Sequence, residues 1–590
     1  MPDQVKIPVS NKKTAELYNH LVLLYGTSAG RGALHELKSV LERLPTEIPP
    51  LPHPLDQREA ILITYGDQVR MEGENPLATL AKFAEEWLSE IVSTIHILPF
   101  YPYSSDDGFS VIDYTRVDPQ LGTWEDISAI GQKFRLMFDL VINHVSSSSP
   151  WFRAFLQGDE KYTDYFIVVE GQPDLSAVTR PRALPLLTTF KTQAGEKQVW
   201  TTFSEDQIDL NFSNPGVLLE MLRVLRQYIE RGAEFIRLDA IAYLWKEIGT
   251  SCVHLPQTHW IVQLLRSFLN IYAPHARLIT ETNVPHRENL SYFGDGTNEA
   301  QLVYNFALPP LVLHAFLSES AHTLSSWVKS LHMPSKQVTL FNFLASHDGI
   351  GITPCKGLIS ESDYQALVES AMIHGGYVSY KNNPDGSSSP YELNINYFDA
   401  LSNPHSQEPV ETAVARFLAA HAIMLCLAGV PGIYFHSLFG SRSWFEGVNH
   451  SGRYRTINRQ KLSLQQLECE LEDTHSIRSR VYSGLARLLR TRRLHPAFAP
   501  HGEQQVLDYS DGCFALLRVS EDQGESILCL HNVMAESTHL EIHPKQIWSC
   551  SDPDLVDLIS GQGFQGVKTL TLTLLPYQVR WIGLANEADY

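Results

Sequence analysis

The sequence predicts an α/β fold: a (β/α)8 TIM barrel with an inserted domain and a C-terminal antiparallel β domain. Three observations predict it. Eight short apolar runs rich in β-branched and aromatic residues recur between residues 60 and 435. Most are followed by amphipathic helical patterns, as in successive βα units. From about residue 498 the helical patterns stop and short alternating runs take over.

Residues 14–44 carry apolar positions at helical spacing (Leu17, Leu21, Leu24, Leu34, Leu37, Val40, Leu41), interrupted by Gly26 and Gly30. This predicts a helical segment, 1–57, packed on the main domain, with a proline-rich linker at Pro49–Pro54. The first strand is Ala60–Gly66, followed by a helix at Pro76–Ile91 and a second strand at Thr94–Phe100. Phe134–His144 is the third strand. The helical pattern Val217–Arg231 ends at Gly232, which suits a helix C-terminus, and leads into the fourth strand, Phe235–Asp239. Arg277–Thr282, Gln301–Phe306, Val338–Asp348 and Val430–Phe435 complete the eight, with helices at His259–Tyr272, Asp363–His374 and Val410–Leu427. The barrel then takes residues 58–145 and 200–497. Two stretches are too long for ordinary loops: 146–199, and 376–403, which is loaded with Asn, Gly, Ser and Pro. They follow the third and seventh strands, so both rise over the C-terminal face, where such barrels place chemistry. Residues 498–590 form the small β domain, with runs at Gln505–Tyr509, Phe514–Val519, Ser526–Leu530, Leu570–Leu574 and Val579–Ile582.

The net charge of −20 over 590 residues argues against nucleic acid or anionic membranes as partners and favours a small-molecule substrate. Seven scattered cysteines without CxxC spacing read as reduced thiols of a cytoplasmic protein. No leader and no membrane-length apolar run is evident, so an intracellular monomer or homodimer is expected.

Polar residues collect at the strand ends: Asp139, Asn143 and His144 on the third, Arg237 and Asp239 on the fourth, Glu281 on the fifth, and His347 with Asp348 on the seventh. Singly, each has a plain structural explanation. Asp139 reads best as a brace for backbone, and Arg237 with Asp239 as either a structural ion pair or a nucleophile with its counter-charge. Together they fit retaining cleavage of a glycosidic bond, which needs a carboxylate nucleophile and a protonated carboxyl about 5–5.5 Å apart. Adjacent strands supply Asp239 and Glu281. Arg237 is expected to keep Asp239 ionised, and crowded negative charge to raise Glu281. A metal centre fits less well, since HxH and HExxH spacings are absent and Arg237 opposes a cation beside Asp239.

The four segments Asp139-Leu-Val-Ile-Asn-His144, Phe235-Ile-Arg-Leu-Asp239, Ile279-Thr-Glu-Thr282 and Phe343-Leu-Ala-Ser-His-Asp348 resemble, in order, the motifs of the α-amylase family of glycoside hydrolases. The resemblance runs from about residue 58 to the end. It implies Asp239 as nucleophile, Glu281 as acid/base and Asp348 as transition-state stabiliser, with 146–199 as the family's domain B. Finer features resemble the branch of sucrose and glucosylglycerate phosphorylases. Pro99–Tyr114 is similar to its glucose-pocket loop, which implies glucose binding by Asp106 and Phe109; His144 and His347, with Asp348, are placed to bind sugar hydroxyls, and Arg237 is counted among the substrate-binding residues. Ile457-Asn-Arg459 matches a second clamp, so Asp106 and Arg459 would close the subsite to one glucosyl unit. Arg182 in Thr179-Arg-Pro-Arg182, with Tyr391, Glu392, Asn283 and Tyr243, falls where the branch binds phosphate or acceptor. Without the resemblance, Arg180 and Arg182 read as solvated loop charges.

Two positions depart from sucrose phosphorylases. Asn283 stands near a usual histidine and Glu392 replaces a usual glutamine, and both fall in the acceptor site. The texture is closer to glucosylglycerate phosphorylases. The calcium site of secreted amylases looks incomplete, because Trp245-Lys-Glu247 lacks a histidine, so no metal or other cofactor is expected. The activity implied is phosphorolysis of glucosylglycerate or sucrose to α-glucose 1-phosphate through a covalent glucosyl-enzyme. The alternatives are a hydrolase or transglucosidase of the same family, in the manner of a sucrose hydrolase or amylosucrase, and an inactive amylase-like binding protein.

Overall fold

The computed structural model describes residues 12–41, 55–182, 184–383, 386–550 and 552–585. The Pro49–Pro54 linker lies outside the described residues.

Eight strands close into a parallel barrel in chain order: β1 (Ile61–Thr64), β2 (Thr94–Ile97), β3 (Arg135–Leu140), β4 (Ala233–Leu238), β5 (Arg277–Thr280), β6 (Leu302–Tyr304), β7 (Thr339–Phe343) and β8 (Val430–Tyr434). Closure is the pairing of β1 with β8, Ile61 against Gly432. The strands carry almost unbroken apolar sequence because helices cover the barrel outside and side chains fill it inside. All eight strands predicted from sequence are barrel strands. Their helices begin and end within about a turn of the predicted bounds: Pro76–Trp87, Pro215–Glu230, Pro256–Tyr272, Glu361–Ile373 and Val410–Cys426. Proline at the start of the first three supplies a fixed φ where no intrahelical N–H is needed.

The N-terminal helix spans Lys12–Leu41 and breaks at Gly26, whose φ of 75° is left-handed. Its buried leucines lie against Pro215–Glu230 and Pro256–Tyr272.

Two excursions leave the C-terminal face. After β3 the strand His144–Ser146 pairs antiparallel with Gln207–Asp209, and between them Val168–Val169, Gly195–Trp200 and Leu187–Thr192 form a separate sheet. After β7, residues 376–403 differ from the predicted irregular loop. Tyr377–Asn382 and Ser388–Asn394 form a β-hairpin to which Ile350–Gly351 adds a third strand. The hairpin was hidden because its outer half is polar and only partly buried, which removes the apolar alternation that marks a strand.

C-terminal residues form a six-stranded sheet and a two-stranded ribbon, Thr538–Ile542 with Leu570–Leu574. Thr538–Ile542 and Leu555–Asp557 were not predicted. The first alternates buried and exposed residues, and the second is only three residues long. Among the described residues no helix is long and apolar enough to cross a membrane.

Candidate active site

Register fixes the centre of the site. Arg237 on β4 is the partner of Asp139 on β3, and Leu238 is the partner of Thr280 on β5. One residue further, Asp239 and Glu281 leave adjacent strands at the same level, with Glu281 N–H donating to Leu238 O at 3.2 Å. The turn after Asp239 puts Ala240 at a left-handed φ of 49°. Its N–H then donates to Glu281 Oε2 at 3.0 Å.

Arg237 joins the carboxylates. Its Nη1 bonds Asp139 Oδ1 and, at 2.8 Å, Asp239 Oδ1, while Nη2 lies 3.7 Å from Glu281 Oε2. Asp139 also bonds His96 Nε2 at 2.7 Å. The expectation that Asp139 braces backbone is therefore wrong: both oxygens are committed to charged or ring nitrogens across the strands. Despite full burial, Asp139 and Asp239 hold Arg237 well above the usual guanidinium range.

Arg237 is expected to keep Asp239 ionised, and it does not act on that carboxyl alone. Burial pushes it up to about 8, with Glu281 and Asp139 adding to the rise and Arg237 opposing it. Glu281 is raised too, by burial first and then by Asp348, against Arg237. The two carboxyls titrate as a pair. The direct Arg237 contact favours charge on Asp239 and the proton on Glu281. Asp348 goes the other way: although burial opposes it, Arg455 and Arg459 hold it well below the usual carboxylate range.

Stacked rings and ion-paired side chains form part of the cavity wall. Phe109 stacks flat on His347, centroids 4.8 Å apart, and lies 5.5 Å from the Arg237 guanidinium. Burial drives His347 down to about 3 and lowers His144, so both rings are neutral. His144 Nε2 meets Phe109 O at 2.8 Å and Gln207 at 3.1 Å. Arg459 donates to His347 O, Asp348 Oδ1 and Asp107 Oδ2, whereas Asp106 Oδ1 is 3.9 Å away. The partner in contact with Arg459 is thus Asp107, while Asp106 accepts from Arg182 at 3.2 Å. Both aspartates have left-handed φ, which turns neighbouring side chains toward different guanidiniums.

The same cavity is also lined by Arg182, Phe203, Tyr243, Asn283, Tyr391 and Arg455. Tyr243 meets Phe203 edge-on, and the Arg182 guanidinium lies 5.7 Å over the same ring. Glu392 does not line the cavity. It is 1 % exposed and bonded to Arg455. A Cβ at Gly349 would lie 2.7 Å from Glu392 Cγ, so only glycine after Asp348 admits the hairpin here.

The α-amylase catalytic-domain family matches residues 86–367. The chain is 49 % identical to a glucosylglycerate phosphorylase of Spirochaeta thermophila, over 95 % of this chain and 97 % of that one. It is 46 % identical to the glucosylglycerate phosphorylase of Escherichia coli, over 89 % and 92 %. The crystal structure of sucrose 6F-phosphate phosphorylase from Thermoanaerobacter thermosaccharolyticum superposes with a TM-score of 0.71 at 28 % identity, covering 82 % of this chain and 95 % of that one. This chain belongs to the α-amylase family, in its sucrose and glucosylglycerate phosphorylase branch.

Within that branch the sequence reading missed Arg455, Gln207 and Phe203 in the cavity wall. Arg455 had a signal, since it lies four positions before Arg459 in an arginine-rich segment. Gln207 had none. Only the pairing of His144–Ser146 with Gln207–Asp209 brings it beside His144. Lys246 Nζ lies 2.7 Å from Asn143 Oδ1 and 2.5 Å from Asp209 Oδ2, so an ammonium of the chain itself meets these oxygens.

Proposed function

We propose that the protein is a retaining phosphorylase of glucosylglycerate, converting it with inorganic phosphate to α-glucose 1-phosphate and D-glycerate. Supporting this are the names of its 46–49 % identical relatives and, above all, the Asp239–Glu281 pair lining one cavity together with Phe109, His347, Asp106 and Arg182.

Asp239 attacks the anomeric carbon while Glu281 gives its proton to the departing oxygen. The C1–O bond breaks, glycerate leaves, and a β-glucosyl ester of Asp239 remains. Phosphate, held by Arg182 and Tyr391 with Tyr243 and Asn283 beside it, enters where glycerate stood. Glu281 takes back a proton as the phosphate oxygen attacks C1 and the ester breaks. Two inversions retain configuration. Asp348, kept ionised by Arg455 and Arg459, stabilises positive charge at the anomeric carbon. Phe109, His144, His347, Asp106 and Arg459 bind the glucosyl unit, and Arg237 orients Asp239. All seven cysteines are free thiols, which supports work in the reducing cytoplasm.

The test is glucosylglycerate turnover with and without phosphate, with products identified. α-Glucose 1-phosphate formed only with phosphate is expected. Free glucose released equally fast in both would make the protein a hydrolase. Asp239→Asn should abolish turnover, and appreciable residual activity would remove Asp239 from its role.

A further inference from the structure

Arg455 and Arg459 stand four residues apart at the two ends of one short turn, and both hold the same oxygen. Arg455 Nη1 is 2.6 Å and Arg459 Nη2 3.3 Å from Asp348 Oδ1. Arg459 turns toward Asp107 and His347 O. Arg455 turns the other way, where Nε and Nη2 grip Glu392 at 3.0 and 2.6 Å. The two bonds to Glu392 occupy two of the five guanidinium N–H donors, and the contact with Asp348 is an ion pair through Nη1, so N–H groups remain on both Nη. Arg455 keeps 26 % of its side chain open while Glu392 keeps 2 %. The face left open therefore belongs to the cation, and the carboxylate is hidden behind it.

We infer that Arg455 sets acceptor specificity by binding the carboxylate of an α-hydroxy-acid acceptor, with Glu392 as its positioning residue. The inference rests on the phosphorylase reading for the identity of the acceptor. A planar guanidinium whose position is fixed by a bidentate carboxylate presents its remaining donors without further ordering cost. A neutral polyol of the same size forgoes the charge-assisted bonds that a carboxylate makes to those donors, which lowers its affinity. Esterification of Asp239 removes one negative charge from the same cavity, so an anion is accepted most readily at the glucosyl-enzyme stage. Glu392 does not touch the acceptor. It acts through Arg455.

The experiment uses α-glucosyl fluoride as donor, so that acceptor choice is read independently of phosphate chemistry. The ratio of kcat/KM for D-glycerate to that for glycerol is measured. Arg455→Met should lower this ratio about 10- to 100-fold, the worth of one or two charge-assisted bonds. Arg455→Lys should restore part of it. Because Arg455→Met strands the buried Glu392, the double variant Arg455→Met with Glu392→Gln is made as well. It should regain thermal stability and keep the lowered ratio. A fall in turnover with the ratio unchanged would mean that Arg455 only supports Asp348, and recovery of the ratio in the double variant would equally overturn the inference. Failure of the parent enzyme to transfer glucose to phosphate in a parallel reaction would instead sink the phosphorylase reading.

Discussion

Arg237 and Asp139 face each other as register partners on adjacent barrel strands, and the same Arg237 nitrogen that bonds Asp139 also bonds Asp239. The Asp139 charge is one of the causes raising Asp239, so removing it lowers the pKa of the catalytic pair. Asp139→Asn should move the acid limb of the kcat/KM profile to lower pH. Arg237→Met should do the opposite and strand two buried carboxylates, at a cost of about 3–5 kcal/mol. Both are read from pH–rate profiles and urea unfolding. An acid limb that rises in Asp139→Asn would refute this coupling.

Asp239 and Glu281 also tie stability to pH. Their folded pKa values lie above the ordinary carboxyl range, so the unfolded state loses these protons first as pH rises. Stability from this source is complete below about pH 4, where unfolded carboxyls titrate, and is lost through the folded value of about 8 for Asp239. Glu281→Gln removes one member of the pair. Its Tm should exceed the parent's by roughly 2–5 °C at pH 8, with a smaller gain at pH 5. Calorimetry at both values decides it, and a gain larger at pH 5 has the wrong sign. The same variant should retain glucosyl transfer from α-glucosyl fluoride better than from glucosylglycerate, because fluoride leaves without an acid.

What the sequence disclosed follows from how local each feature is. β4 was legible because Gly232, an apolar run and Arg237–Asp239 lie within eight positions. The acid set was legible because parallel strands in a barrel bring their C-terminal ends to one face. Features made by contacts across the chain were not legible. The Arg459–Asp107 pair spans 352 positions, the Arg455–Glu392 pair 63, and Gln207 reaches His144 only through a strand pairing. The pKa of Asp239 was misread because burial, a property of the packed barrel, outweighs the neighbouring guanidinium that sequence can place.

Barrel packing makes its own prediction at Gly432 on β8. A Cβ there would sit 2.2 Å from Phe341 Cζ on neighbouring β7, and Phe341 in turn packs on Tyr304 at 4.6 Å. Gly432→Ala should destabilise by about 1–3 kcal/mol through overpacking. Gly432→Ala combined with Phe341→Leu should recover part of that loss. Chemical unfolding of the parent, both single variants and the double variant tests it, and additivity would mean that the ring is not the obstacle.

Lys246 links stability to the cavity wall at His144. Its ammonium is buried between Asp209 and Asn143, and although burial lowers its pKa, Asp209 pulls it back up. Asp209 also accepts from Thr202 N–H and Oγ1 at 2.7 Å, and Asn143 contacts His144 Nδ1 at 3.2 Å. Lys246→Met leaves Asp209 buried without a cation, which should cost about 3–5 kcal/mol. Asp209→Asn in the same chain should return much of it, because the uncompensated charge is then gone. Through Asn143 and His144 the single variant should also raise KM for the glucosyl donor. A divalent cation at these oxygens would have to displace the ammonium, so a chelator should leave the parent's Tm unchanged. A chelator-induced drop that added calcium reverses would show that the cradle holds a metal after all, and Lys246 would then need a different role.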